Sequence, residues 1–160
     1  MMEERLDTSR RSVFMAGVHD GVPIALGYFV VAFTLGILAK TAGLTPWQGF
    51  VTSAVNIASA GEYAGFTVIA AQAPYLEIAV LTLVANARYF LMAAALTQRF
   101  APETSLLHRL AVSFGVTDEI FGITVARGGA LNPYYNYGAM AISVPAWAAG
   151  TSAGILAGGI

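Results

Sequence analysis

Apolar positions along this chain fall into five long runs, separated by short polar breaks that mostly carry a proline. The runs are Gly21 to Ala39, Pro46 to Gln72, Tyr75 to Leu96, Leu106 to Val125 and Tyr134 to Ile160. Each is near or above the roughly 20 residues that take a helix across a bilayer core. Pro23, Pro46, Pro74, Pro102 and Pro133 stand at or just before the starts of runs, where a missing N–H is tolerated and the fixed φ suits a first helical turn. The pattern predicts an all-α integral membrane protein, with a cytoplasmic or interfacial N-terminal segment over residues 1–20 and a single transmembrane helical domain over 21–160. Trp47, Tyr75, Tyr134, Tyr135 and Tyr137 stand at run ends, as the aromatic belts of membrane proteins do.

Not every run reads as a straight crossing. Arg5, Arg10 and Arg11 form the densest positive cluster, which places the N-terminus on the cytoplasmic side. Strict alternation from there puts the loop with Arg99, His108 and Arg109 outside, against its charge. The conflict disappears if Pro46 to Gln72 is broken near Ala60-Gly61 and returns. Gly61 and Gly65 each weaken a helix by roughly 1 kcal/mol, and broken helices are tolerated where they line a protected cavity. In the last run Ala146, Gly150, Gly154 and Gly158 recur at four-residue spacing, a small-residue face that admits another helix closely, and Pro145 is expected to kink it.

Composition supports the membrane reading. Of the 160 residues 57 % are hydrophobic and 11 % charged, with a mean hydropathy of +0.67, against roughly 25 % charged in an ordinary soluble domain. A net charge of -1 leaves no basic stripe for nucleic acid. The absence of cysteine removes disulfides, thiolate metal sites and thiol catalysis. Met1 to Arg11 is polar and no small-residue cleavage site follows it, so the first run is expected to be retained.

Against this background four ionisable residues stand out: Glu62 in the second run, Arg88 in the third beside Asn86, and Asp118 and Glu119 in the fourth. One charge at the centre of a membrane helix costs roughly 2.5 to 3.5 kcal/mol on insertion scales, so these groups require pairing or protonation. On a continuous helix neighbours point about 100° apart. Asp118 would then share a stripe with Gly115 and Gly122 and bond to Arg88, while Glu119 would share one with Val112, Val116 and Ile123 and suit proton carriage. Arg88 reads either as a structural counter-ion or as a clamp for a ligand carboxylate. Glu62 reads as a half-helix N-terminal group or as a substrate or proton site. Thr117 reads as a back-bonding hydroxyl or a ligand, and Asn86 as an interhelical bonding group or a ligand. His19 and His108 lie near run ends and read as interfacial, so no metal is expected.

These residues carry a resemblance. Phe14 to Lys40 with Gly17, Pro23, Gly27 and Gly36, then Tyr63-Ala64-Gly65, Asn86-Ala87-Arg88-Tyr89 and Thr117-Asp118-Glu119-Ile120-Phe121 resemble elements of the AzlC-type family of branched-chain amino acid exporters. Two departures accompany it: the family's glutamine after Ala-Gly is here Val68, with Glu62 just before the element, and family members are usually longer. The resemblance implies efflux of small apolar amino acids across the bacterial inner membrane, with cation or proton coupling, no cofactor, and a small AzlD-type membrane subunit as partner. Alternatively the chain associates with itself or with that subunit through Gly150, Gly154 and Gly158. The expected site comprises Glu62, Tyr63, Asn86, Arg88, Thr117, Asp118 and Glu119, and no enzymatic activity is expected. Rival readings are a non-catalytic membrane subunit or assembly module and an intramembrane hydrolase. The second is disfavoured because neighbouring carboxylates diverge on a helix.

Overall fold

The computed structural model describes the backbone of residues 2–158 and the side chains of 9–158. It is helical, with α1 (Met2–Thr41), α2 (Pro46–Val55), α3 (Ser59–Ala70), α4 (Tyr75–Ala85), α5 (Ala87–Thr97), α6 (Leu106–Phe114), α7 (Asp118–Ala126) and α8 (Pro133–Ala157). Two of these are long and apolar enough to cross a membrane, Ser9–Thr41 within α1 and Pro133–Ala157. The pair α4 and α5, bent by 44°, makes a third if it counts as one span. The all-α membrane architecture expected from the runs is present, and its second run is broken.

The breaks do not fall where glycine alone placed them. The second run stops at Asn56 and resumes after Ala58, ahead of Ala60-Gly61. Gly61 serves close approach instead, since a Cβ there would lie 2.5 Å from Asn86 Oδ1. The fourth run, read above as continuous, is interrupted between Phe114 and Asp118: Gly115 caps the end of α6 and Thr117 opens α7 by accepting from the Ile120 N–H. The first run is part of a longer helix, so Pro23 lies inside α1 rather than at its start. The other prolines keep their expected place, with Pro46 opening α2 behind a Thr45–Gln48 capping box.

The chain divides into two compact units, Met1–Ile24 with Tyr89–Ser143 and Ala25–Arg88 with Val144–Ile160. In the first, α1 and α8 run parallel in close contact: a Cβ on Gly17 would run into the Tyr135 carbonyl, and one on Gly138 into that of Phe14. Leu96, Phe100, Val112, Val116 and Leu131 form its apolar core. Two arginines, Arg99 before and Arg109 within α6, bind backbone carbonyls of helix ends and loops. Arg99 donates to the carbonyls of Val125, Arg127 and Gly129, and Arg109 to those of Thr97, Ala101 and Thr104. Tyr135, expected in an aromatic belt, is buried and donates to Asp20 at 2.7 Å, with the Arg127 guanidinium 4.3 Å from its ring centre.

In the second unit α1 and α8 are again parallel, with Gly36, Gly150 and Gly154 at their contact. A Cβ on Gly154 would run into the Phe33 carbonyl. Gly150 and Gly154 are therefore filled by α1 of the same chain, so any partner contact through them has to displace that helix. Helix α2 packs on α8, with Gly49 against Ile155, Ser53 bonded to Thr151, and Ser152 donating to the Pro46 carbonyl. Helix α3 returns against α4, with Gly61 beside Asn86 and Gly65 facing Thr82. A turn holding Gln72 at φ 54° joins them.

Candidate functional site

The second unit holds a polar centre built on Glu62. This residue lies in the first turn of α3, just past the break, and is 1 % exposed. Its Oε1 accepts from the Trp147 indole N–H at 2.6 Å and its Oε2 from the Ser53 hydroxyl at 3.1 Å. Ser53 lies 2.7 Å from Thr151 Oγ1, and both hydroxyl residues are fully buried. Trp147 is held edge-on against Tyr28 of α1, with ring centres 5.3 Å apart. Trp147 and Thr151 are one helical turn apart on α8, which puts both on one face. Among the described residues, Glu62 is paired with no lysine, arginine or histidine. A carboxylate withdrawn from water on two neutral donors is costly to keep charged.

The site's floor is polar as well. Asn56, which ends α2, accepts from Asn86 Nδ2 at 3.1 Å, and Asn86 ends α4 at the bend into α5. Among the described residues, Asn86 Oδ1 is buried with no partner. The N-terminus of α3 has no side-chain cap, because its N-cap is Ala58. Glu62 does not cap it either, since its carboxylate is taken by Trp147 and Ser53.

The remaining expected residues are distributed as follows. Tyr63 follows Glu62 but is 59 % exposed, and Arg88 is an exposed residue of the first turn of α5. Glu62, Tyr63, Asn86 and Arg88 thus share one unit, whereas Thr117, Asp118 and Glu119 belong to the other. Asp118 and Glu119 are exposed and open α7 rather than lying mid-helix. The helical stripes drawn from Asp118 to Gly115, and from Glu119 to Val112 and Val116, do not exist, because the break separates them. At the start of α7 both carboxylates face the favourable end of the helix dipole, and Thr117 is a cap rather than a back-bonding residue. His108 contacts Tyr137, with 2.7 Å between ring nitrogen and hydroxyl, and no group of three or more potential metal ligands forms among the described residues. Sequence reasoning missed Ser53, Asn56, Trp147 and Thr151. The one signal for the last two was their four-residue spacing, on a stripe one position along from the small-residue face of the last run.

A helical chain with two or three candidate spans, breaks within its apolar runs, and a buried carboxylate beside one break defines an all-α membrane protein with a polar centre built on Glu62. The chain belongs to the AzlC family, whose description, AzlC protein, matches residues 23–160. It is 29 % identical over 153 residues to a membrane protein of Archaeoglobus fulgidus, a match covering 94 % of this chain and 65 % of that one. It is 31 % identical over 117 residues to the inner membrane protein YgaZ of Escherichia coli K12, covering 72 % of this chain and 47 % of YgaZ. The chain therefore spans between about half and two thirds of the length of these curated relatives. No solved structure matches it.

Proposed function

We propose that this chain forms the transmembrane body of a secondary transporter that exports small apolar amino acids across the inner membrane, with Glu62 as its substrate-amine or proton-coupling group. The observation that supports this best is the buried Glu62 carboxylate, held by two neutral donors beside a helix break in a chain of the AzlC family. Transporters place their sites at such breaks, where half-helix ends and unwound backbone replace water around a charged substrate. A zwitterionic amino acid has an ammonium that suits Glu62 and the unpartnered Asn86 Oδ1, and a carboxylate that suits the uncapped start of α3. Arg88 at the start of α5, and Thr117, Asp118 and Glu119 at the start of α7 in the other unit, remain separate candidates for binding or coupling. An AzlD-type small subunit is the partner this reading calls for.

The test is efflux of radiolabelled valine and leucine from proteoliposomes containing the purified chain. Glu62→Gln is expected to lower the rate at least tenfold while the protein still inserts and stays monodisperse. Full transport by the Glu62→Gln protein overturns the role of Glu62. Failure of the unaltered chain to bind or move any amino acid returns it to the reading of a non-transporting membrane subunit.

A further inference from the structure

The hydroxyl chain behind Glu62 has a property that a purely structural polar cluster does not need. Ser53 Oγ lies within bonding distance of both Glu62 Oε2 (3.1 Å) and Thr151 Oγ1 (2.7 Å), yet a hydroxyl has one proton and donates to one of them at a time. With Glu62 ionised, Thr151 donates to Ser53 and Ser53 donates to the carboxylate. When Oε2 takes up a proton, the new O–H donates to Ser53, Ser53 turns to donate to Thr151, and Thr151 turns to the Trp147 carbonyl at 3.5 Å. Trp147 Nε1 donates to Oε1 throughout. One proton is added at Oε2, both hydroxyls keep their own, and every donor in the chain has an acceptor in either state. We infer that Ser53 and Thr151 are positioning residues that make Glu62 a two-state proton site, reversing their donor direction as it gains or loses its proton.

The surroundings favour this over a fixed ion pair. Glu62 is the sole charged residue of α3, and neither α2 nor the Val144–Ile160 part of the chain carries any. The α1 half in this unit contributes Lys40 in its last turn and Tyr28 on the Trp147 ring. Tyr63, on α3 itself, is exposed. On α4 the ionisable groups Tyr75 and Glu77 are exposed, and Arg88 is exposed in the first turn of α5. The contact is also tightly built, since Gly49 lets the α2 backbone approach Ile155 and Thr151 closely.

The inference rests on the role given to Glu62 above, and the experiment separates the two. Trp147 reports on the carboxyl it donates to, and Trp47→Phe removes the other tryptophan. The fluorescence of the Trp47→Phe chain in nanodiscs, titrated with pH, is expected to show one transition that Glu62→Gln abolishes. In Thr151→Val the protonated state leaves the Ser53 O–H without an acceptor, a worse fault than the spare lone pair left in the ionised state. The midpoint should therefore fall by about one pH unit. Ser53→Ala removes a charge-assisted donor from the ionised state, so its midpoint should move the opposite way, while Thr151→Ser should restore the original value. A transition that depends on Glu62 but does not move in Thr151→Val or Ser53→Ala overturns the switching role of the hydroxyls and spares that of Glu62. A titration without any Glu62-dependent transition overturns both.

Discussion

Replacing Trp147 by phenylalanine keeps a ring against Tyr28 but removes the N–H that reaches Glu62 Oε1 at 2.6 Å. Hydrogen bonds to charged groups contribute about 1.5 to 3 kcal/mol, so Trp147→Phe should destabilise the chain by that order at alkaline pH, where Glu62 is ionised. The loss should shrink in a Glu62→Gln background. A double-mutant cycle on denaturation in mixed micelles should return a coupling of about 1 to 2 kcal/mol, and a coupling near zero would show that the indole packs without bonding. Glu62 itself was legible in the sequence, because a carboxylate in an apolar run advertises its cost. Its partners were not. Ser53 is nine residues away, Trp147 is 85 residues away, and a serine or threonine in a membrane helix looks the same whether it bonds its own backbone, as Thr67 bonds Tyr63, or a distant side chain.

At the scale of the helix, glycine performs several tasks that sequence inspection merges. Gly115 ends α6, Gly61 makes room for Asn86, and Gly154 lets α8 meet the Phe33 carbonyl of α1. Gly27 lies on α1 with nothing within 4 Å of an added Cβ. Alanine should therefore have opposite effects at two positions of one helix pair. Gly154→Ala forces the helices apart and should cost about 1 to 3 kcal/mol, whereas Gly27→Ala should gain up to about 1 kcal/mol from helix propensity. Thermal unfolding in detergent, read by circular dichroism, checks both; equal shifts would mean that the α1–α8 contact is looser than described. The same merging explains the misplaced breaks. The second run was expected to break near Ala60-Gly61, and it breaks just ahead of there, at Asn56, whose amide oxygen finds Asn86 thirty residues on. The fourth looked continuous because Val116 keeps it apolar, although Gly115 and Thr117 carried the C-cap and N-cap chemistry of an interruption.

For the whole chain, the parallel course of α1 and α8 constrains how the intervening segments meet the membrane. If all three intervening segments crossed, α1 and α8 would be parallel; if α2–α3 alone returned to its side of entry, they would be antiparallel. If α2–α3 and α6–α7 both return, the bent α4–α5 pair is the one crossing between them and α1 and α8 are parallel again. The contacts of Gly17 with Tyr135 and of Gly154 with Phe33 show the parallel course in each unit, so with α4–α5 crossing, a returning α2–α3 requires a returning α6–α7. Three features favour the double return. The α4–α5 pair is the one intervening segment apolar and long enough to span. Helices α2 and α3 both belong to the unit that contains α1 and α8 from Ala25 and Val144 onward, with α3 antiparallel to α4. The double return also brings the loop of Arg99 and Arg109 to the face of Arg10 and Arg11, as the positive-inside rule asks. The chain lacks cysteine, so single cysteines can be read without background. Cysteines at Lys40 and Ala73 should be labelled by an impermeant maleimide from one face, and a cysteine at Gln98 from the other. Labelling of the Lys40 and Ala73 sites from opposite faces would mean that α2–α3 crosses, and by the same parity that α6–α7 crosses with it, which would carry the Glu62 break through the membrane's full depth instead of holding it at the tip of a returning pair.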